Sequence, residues 1–259
     1  MTKPATFPPT IRIGILVYEG FEPIDVWGFT EAFAIARFIG TGYQSPPPYP
    51  FEVLFISNEE RPIGKPNAVP GPVKSENGPR VAPDMFRNDA LKFPFDLLMI
   101  PGGNTAPLLD ETKPAAVKAL VKWVKAMDKR VELMTSVCTG AAVLAHAGVL
   151  DGKPAATNHQ AFPWVVSFGP RVLWDNVSRW VDAGRYVTSA GVSAGTDMAF
   201  HLVDRLLGRA VAEAAVKEAE YDWHRNPQEP TYSFLKKLRS GGRLSLECAD
   251  LSALWSAAA

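Results

Sequence analysis

One short stretch constrains the fold of this chain more than any other. Residues 131–137 predict a buried strand, and the small residues at 139–142 then begin a helical pattern, so the strand turns into a helix at Cys138. In open α/β sheets, ligands bind at the carboxyl edge of the strands, which is where such a turn lies. The pattern therefore predicts an α/β fold with Cys138 at its ligand-binding edge.

Cys138 itself has two interpretations. The segment Ser136-Val-Cys-Thr-Gly140 parallels the Gly-x-Ser-x-Gly nucleophile elbow, in which a strained turn exposes the nucleophile. A cysteine at the amino end of a helix also meets the positive end of the helix dipole, which favours the thiolate. Free cysteines are nevertheless often buried and act as small hydrophobic side chains. On this stretch alone, a catalytic and a structural role have similar weight.

Strands alternate with helices along most of the chain, which indicates a mostly parallel sheet with helices on both faces. The Pro/Gly-rich stretch at 61–80 predicts turns, with a short hairpin around Glu76-Asn-Gly78 because Asn-Gly favours tight turns. Strands are predicted at 11–18, 51–57, 95–100, 131–137, 153–157, 171–174 and 186–190, and helices at 25–37, 114–127, 198–207 and 210–221.

Composition excludes several classes of function. Lys plus Arg equal Asp plus Glu, at 27 each, and no basic run contains interleaved aromatic residues, so we expect no nucleic-acid partner. No apolar run is long enough for a signal peptide or a membrane span, and we expect a cytoplasmic protein. Cys138 and Cys248 are too few and too distant for a disulfide framework, and the histidines lack metal-ligand spacing, so no metal is expected.

Three predicted strands end in segments that suit a binding site. Residues 20–25 follow the first strand, Pro101-Gly-Gly103 follows a middle strand, and Cys138 follows the next. Because the carboxyl ends of parallel strands share one edge of the sheet, these segments are expected to converge. Two simpler interpretations stay open: Asp25 is a helix N-cap, and Pro-Gly-Gly is only a turn.

Four short motifs indicate a family. Ile24-Asp25, Cys138-Thr-Gly140, residues 190–197 (AGVSAGTD) and Glu220-Tyr-Asp222 together resemble the ThiJ/PfpI superfamily, which is related to class I glutamine amidotransferases, and within it the isocyanide hydratase branch. The resemblance covers residues 11–228. It implies a flavodoxin-like three-layer α/β sandwich, preceded by an extension at 1–10 and followed by a tail at 229–259.

The resemblance also implies roles for individual residues. Cys138 matches the nucleophile, and Asp25 matches its acidic partner, which a partly dry pocket would keep protonated. Thr139 would bond the substrate or a water, and backbone N–H groups of Gly102, Gly103 and Thr139 would stabilise negative charge. His159 lies in a segment that approaches the site in relatives, although a structural role is the commoner one for an isolated histidine. Relatives use no cofactor and are commonly homodimers, and we expect both here.

Two further residues bear on function. Peptidase members of the superfamily carry a histidine directly after the cysteine, whereas this chain has Thr139, so we do not expect a protease. Asp197 is expected to cap the helix predicted at 198–207 and thereby to shape the site rather than to catalyse.

Three functions fit these observations. The first is a cofactor-independent isocyanide hydratase, in which the Cys138 thiolate attacks an electrophilic carbon and Asp25 supplies the proton. The second is a glyoxalase-like enzyme acting on small α-oxoaldehydes. The third is a non-enzymatic redox sensor or ligand-binding domain, since similar domains are fused to AraC-type regulators. The tail is too short for the two helix-turn-helix units of such regulators.

Overall fold

The computed structural model of the protein describes residues 7–42 and 44–229. Most of the predicted amino-terminal extension, the predicted tail after residue 229 and Cys248 lie outside these residues.

The strands and helices alternate as the sequence predicts. The strands are β1 (Ile11–Val17), β2 (Phe51–Ser57), β3 (Val73–Lys74), β4 (Arg80–Val81), β5 (Met85–Phe86), β6 (Leu97–Ile100), β7 (Leu133–Ser136), β8 (Pro154–Ala156), β9 (Leu173–Asp175), β10 (Trp180–Ala183) and β11 (Tyr186–Ser189). The helices are α1 (Pro23–Ile35), α2 (Arg87–Ala90), α3 (Pro114–Asp128), α4 (Gly140–His146), α5 (Phe162–Val166), α6 (Val192–Leu207) and α7 (Arg209–Glu218), with a 3₁₀ turn at Ala106–Leu109.

Seven strands form the central sheet, in the order β10-β11-β7-β6-β1-β2-β5. All neighbours pair in parallel except β10 and β11, which form an antiparallel pair at one edge. Helices α1, α6 and α7 contact one another, and α3, α4 and α5 form a second group. This arrangement confirms the predicted α/β fold with a mostly parallel sheet.

The central strands are buried on both faces, as parallel strands between helical layers must be. All four residues of β6, β7 and β11 are buried, and β1 is buried from Ile13 to Val17. Apolar side chains on both faces of these strands make the core continuous through the sheet. The carboxyl ends of β1, β6 and β7 are therefore held rigidly beside one another.

Helix α6 corrects a prediction. It begins at Val192 with Gly191 as its N-cap, six residues before the predicted start. Asp197 consequently lies inside the helix and does not cap it. The small residues of this stretch suggested a loop, but they allow close packing: a Cβ on Gly195 would lie 2.6 Å from a methyl group of Val137. Tertiary contact with the Cys138 turn thus outweighs the low helix propensity of glycine.

The hairpin predicted at the Asn-Gly pair is present. Strands β3 and β4 pair in antiparallel fashion, and Asn77 adopts a positive φ of 50° in the turn between them. Within residues 7–42 and 44–229, no helix is both long enough and apolar enough to cross a membrane.

Candidate active site

The three predicted strand ends meet at one edge of the sheet. Glu22 N–H donates to the Gly102 carbonyl at 2.8 Å, and Asn104 N–H donates to the Gly20 carbonyl at 2.8 Å. These bonds join the segment after β1 to the segment after β6. The turn after β7 lies against them, since a Cβ on Gly102 would come within 2.7 Å of the Cys138 Cβ. Any side chain at position 102 would therefore displace the cysteine.

Cys138 occupies a strained turn between β7 and α4. Its φ is +57°, an uncommon value for a residue with a side chain, and its N–H donates to the Ala190 carbonyl at 2.9 Å. Gly140 lets α4 start immediately, because a Cβ there would lie 2.1 Å from the Ile100 carbonyl oxygen. The strand, turn and helix predicted around Cys138 are thus present, with the geometry of a nucleophile elbow.

The thiol of Cys138 is only 6% exposed. Burial, followed by the neighbouring Asp25 carboxylate, raises its pKa to about 12, although hydrogen bonds from the Thr139 N–H and the Asn158 side chain act in the opposite direction. At this pKa Cys138 rests as a thiol at neutral pH, because desolvation outweighs the two donors, and the thiolate stays a prediction for the reacting protein.

Asp25 is fully buried in the first turn of α1. Its Oδ2 accepts a hydrogen bond from the Gly102 N–H at 2.7 Å, whereas Oδ1 has no hydrogen-bond partner among the described residues. Burial raises its pKa to about 8, with a further contribution from Glu22. A pKa of about 8 favours the protonated acid at neutral pH, and Oδ1 is the oxygen that is free to carry the proton. Glu22 is the N-cap of α1, which excludes the N-cap interpretation of Asp25.

The expected oxyanion donors differ in availability. The Gly102 N–H already donates to Asp25, so it does not face a substrate as the resemblance implied. The Thr139 hydroxyl donates to the Gly103 carbonyl at 3.1 Å, which locks the turn after β6 onto the elbow. The Gly103 N–H makes no hydrogen bond within the part of the chain that the structure describes. The Gly103 N–H is the donor left for negative charge on a bound molecule, whereas the Thr139 N–H already donates to the Cys138 sulfur.

Tyr18 is a buried part of the site that the sequence analysis did not identify. Its single hydroxyl proton is shared between the carbonyls of Pro101 and Gly102, whose oxygens lie 2.9 and 2.7 Å from the hydroxyl oxygen. Burial and the Asp25 carboxylate raise its pKa well above the ordinary value, so the phenol stays neutral. Tyr18 therefore fixes the peptide whose N–H holds Asp25. Its place at the end of β1 was the only signal in the sequence.

The segment after β8 approaches the sulfur through Asn158, not through His159. The Asn158 Nδ2 lies 3.2 Å from the Cys138 Sγ, and the Thr157 hydroxyl donates to the Cys138 carbonyl at 2.9 Å. Burial lowers the pKa of His159, and a hydrogen bond to the backbone of Ser178 opposes this shift. The structure thus places His159 against Ser178, which fits the structural role that is commoner for an isolated histidine.

Asp197 anchors a neighbouring segment. Its carboxylate forms a fully buried ion pair with Arg179 and accepts hydrogen bonds from the Tyr221 hydroxyl and the His224 N–H, both at 3.0 Å. The chain after α7 is thereby fixed to α6. No metal cluster accompanies these residues: the described residues contain no group of three or more His, Cys, Asp or Glu side chains placed to bind a metal ion.

Comparison with known proteins agrees with this geometry. The model of the DJ-1/PfpI family matches residues 11–205, which include the elbow and the three strand ends. The chain belongs to the DJ-1/PfpI family. A solved structure of a ThiJ/PfpI family protein from Pseudomonas syringae has a TM-score of 0.65 at 22% identity and covers 90% of this chain and 85% of its own. That likeness confirms the flavodoxin-like fold.

Curated relatives have several different activities. An isonitrile hydratase from Pseudomonas putida is 29% identical over 58% of this chain and 61% of its own length. The HTH-type transcriptional regulator GbdR from Pseudomonas aeruginosa is 31% identical over 42% of this chain and 29% of its own. The glutathione-independent glyoxalase DJR-1.2 from Caenorhabditis elegans is 27% identical over 56% of this chain and 74% of its own. The aligned region thus spans about three fifths of the hydratase and under a third of the regulator.

Proposed function

We propose that the protein is a cofactor-independent isocyanide hydratase, isocyanide and isonitrile being two names for one functional group. The observation that carries the proposal is Asp25: it is fully buried, its pKa is about 8, and its Oδ1 has no hydrogen-bond partner among the described residues. It supplies a carboxylic acid proton at neutral pH beside the Cys138 thiol. An acid next to a sulfur nucleophile is what addition across a terminal carbon requires.

The reaction balances with these two groups alone. The Cys138 Sγ bonds to the isocyanide carbon, Asp25 delivers a proton to that carbon, and the thiol proton returns to Asp25. The product of this step is a thioimidate. Water then adds to the thioimidate carbon, the C–S bond breaks, and an N-substituted formamide leaves with the thiol restored. The Gly103 N–H is available to negative charge that develops on the substrate, and the Thr139 N–H to charge that develops on the sulfur.

The charge around the pair favours an uncharged substrate. The Glu22 carboxylate raises the pKa of both Cys138 and Asp25, so it adds negative potential to the site. Binding of an anionic substrate would be weakened by repulsion from Glu22 and by desolvation of its charge. Isocyanides and α-oxoaldehydes are both neutral, whereas α-oxo acids are disfavoured.

The first test is turnover. We expect purified protein to convert an aryl isocyanide to the formamide at pH 7, and Cys138→Ala to lose this activity by at least about 10³-fold while keeping its thermal unfolding temperature, since the nucleophile is removed from a site that otherwise stays intact. Formamide is measured by liquid chromatography. Asp204→Asn, which changes an acidic residue on α6 away from the strand ends, serves as the matched control. Equal turnover in Cys138→Ala would refute the proposed mechanism.

A second candidate is activity on α-oxoaldehydes, which the relative named as a glyoxalase favours. The same pair would attack the aldehyde carbon, with Asp25 as proton donor. Cysteine-dependent loss of methylglyoxal, with no turnover of isocyanide, would select this function. The sensor alternative is tested by mass spectrometry after mild peroxide treatment: a Cys138 that stays a thiol while other sites oxidise would exclude it.

A further inference from the structure

We propose that Asn158 is a catalytic hydrogen-bond donor to the Cys138 sulfur, which stabilises the thiolate as it forms and as it leaves. This inference rests on the proposed function, because it assigns a role within the same site. Asn158 contacts the reacting atom itself, with Nδ2 at 3.2 Å from Sγ.

The orientation of the Asn158 amide is fixed by its other end. Its Oδ1 accepts hydrogen bonds from the backbone N–H groups of Gln160 and Ala161, both at 2.9 Å. If the amide were flipped, its NH₂ group would face two donors, and both N–H groups would lose their acceptor. The orientation with the NH₂ group towards the sulfur is the one that satisfies both backbone donors.

The segment that carries Asn158 is also held in place. Ala156 N–H donates to the Thr188 hydroxyl at 2.8 Å, and the Thr157 hydroxyl donates to the Cys138 carbonyl at 2.9 Å. Consecutive residues thus connect this segment to β11 and to the elbow. The donor needs no rearrangement when charge develops on the sulfur, which is the condition for effective electrostatic stabilisation.

An amide differs from an imidazole in that it has no proton to transfer. Asn158 can stabilise the thiolate but cannot act as an acid or base, so the proton that reaches the substrate comes from Asp25. The two side chains have separate roles: Asn158 lowers the pKa of Cys138, and Asp25 donates the proton to the substrate. This division predicts that loss of Asn158 slows reactions that need the thiolate, including those with no proton transfer to a substrate.

Alkylation of the thiol provides the test, because it does not depend on the natural substrate. The rate of Cys138 modification by iodoacetamide at pH 8 is followed by peptide mass spectrometry, which separates it from Cys248. Below the thiol pKa this rate is proportional to the thiolate fraction. Asn158→Asp keeps the acceptor for Gln160 and Ala161 but removes the donor, and Asn158→Ala removes the donor without adding charge. We expect both to be slower by about tenfold or more.

Asn88→Asp is the control variant. The Asn88 side chain also accepts a backbone hydrogen bond, from the Arg61 N–H at 2.9 Å, but Asn88 lies in α2. It should alkylate at the wild-type rate. If both folded Asn158 variants alkylate within twofold of wild type, the inference is overturned, whatever the turnover. If they slow alkylation but the protein hydrates no isocyanide, Asn158 keeps its role and the proposed function fails. The 240 nm absorbance of the thiolate, referenced to Cys138→Ala, gives an independent measure.

Discussion

Two fully buried aspartates of this protein have opposite surroundings. Asp197 faces the guanidinium of Arg179, which is also buried, and accepts two further hydrogen bonds. Asp25 accepts one hydrogen bond, from a backbone N–H, and besides burial the Glu22 carboxylate raises its pKa. Burying a carboxylate without a neighbouring cation costs free energy. Asp25 therefore stays protonated, whereas Asp197 is ionised and paired with Arg179. The difference separates a group that can donate a proton from one that holds the fold.

The raised pKa of Asp25 makes stability depend on pH. In the unfolded chain its pKa is near 3.8 and in the folded protein it is about 8, so the unfolded state ionises first as pH rises. The contribution of Asp25 to stability is complete below about pH 4 and is lost between pH 4 and pH 8, with a slope of up to about 1.4 kcal/mol per pH unit. Asp25→Asn should remove this loss, which urea unfolding at several pH values would measure.

The matched control for that experiment is Glu31→Gln, which removes a carboxylate from an exposed position of the same helix. The informative quantity is the difference in free energy of unfolding between Asp25→Asn and wild type, which should increase from pH 4 to pH 8. A difference that stays constant over this range would contradict the protonated state assigned to Asp25.

At the scale of elements, the site depends on how closely α4 follows β7. Gly140 allows the first turn of α4 to pack on the backbone at the end of β6, and Thr139 and Gly102 meet in the same contact. These are contacts with backbone atoms, which cannot move aside as a flexible side chain can. The elbow is therefore sensitive to any added volume at this point.

Gly140→Ala should be destabilising by at least about 2–3 kcal/mol, because its Cβ would lie 2.1 Å from the Ile100 carbonyl oxygen. Gly71→Ala is the control, since a Cβ there meets no atom within 4 Å. Thermal and urea unfolding of both variants would measure the effect. Equal stability of Gly140→Ala and Gly71→Ala would show that α4 can shift away from β6 without cost.

Elements were predictable where local pattern and tertiary packing agree. Strand β2 was predicted residue for residue, and the turn at Cys138 was recognised from a strand pattern followed by small residues. The start of α6 was not predicted, because Gly191 and Gly195 lower the local helix propensity. The close packing of Gly195 on Val137 is the tertiary contact that explains a glycine inside this helix. Strand β10 was also not predicted, since its four residues show no clear alternation of apolar and polar side chains.

The site was predictable to the level of strand ends but not of hydrogen bonds. Residues 25, 102, 103, 138 and 139 lie close together because parallel strands bring their carboxyl ends to one edge, while their roles stay predictions. Three features depend on distances and burial, which no sequence pattern contains. The Gly102 N–H donates to Asp25, Asn158 rather than His159 contacts the sulfur, and the thiol is protonated.

At the scale of the whole molecule, the sheet brings together two side chains from distant parts of the chain. Asp25 follows β1 and Cys138 follows β7, yet after burial the Asp25 carboxylate contributes most to the raised pKa of the thiol. Strand β6 lies between β1 and β7 and supplies the Gly102 N–H that connects the two. The fold thus brings this carboxyl group and this thiol together, whereas their proposed roles and the homodimer expected from the family resemblance stay predictions.

The most direct measurement of the central claim is intact mass after acid quench during a single turnover with an aryl isocyanide. Wild-type protein should gain the mass of one complete isocyanide, because addition expels no leaving group, and the added mass should lie on the peptide that contains Cys138. Cys138→Ala should gain nothing and leave the isocyanide unconsumed. Consumption of isocyanide by Cys138→Ala at the wild-type rate, or an adduct on a different residue, would contradict the account.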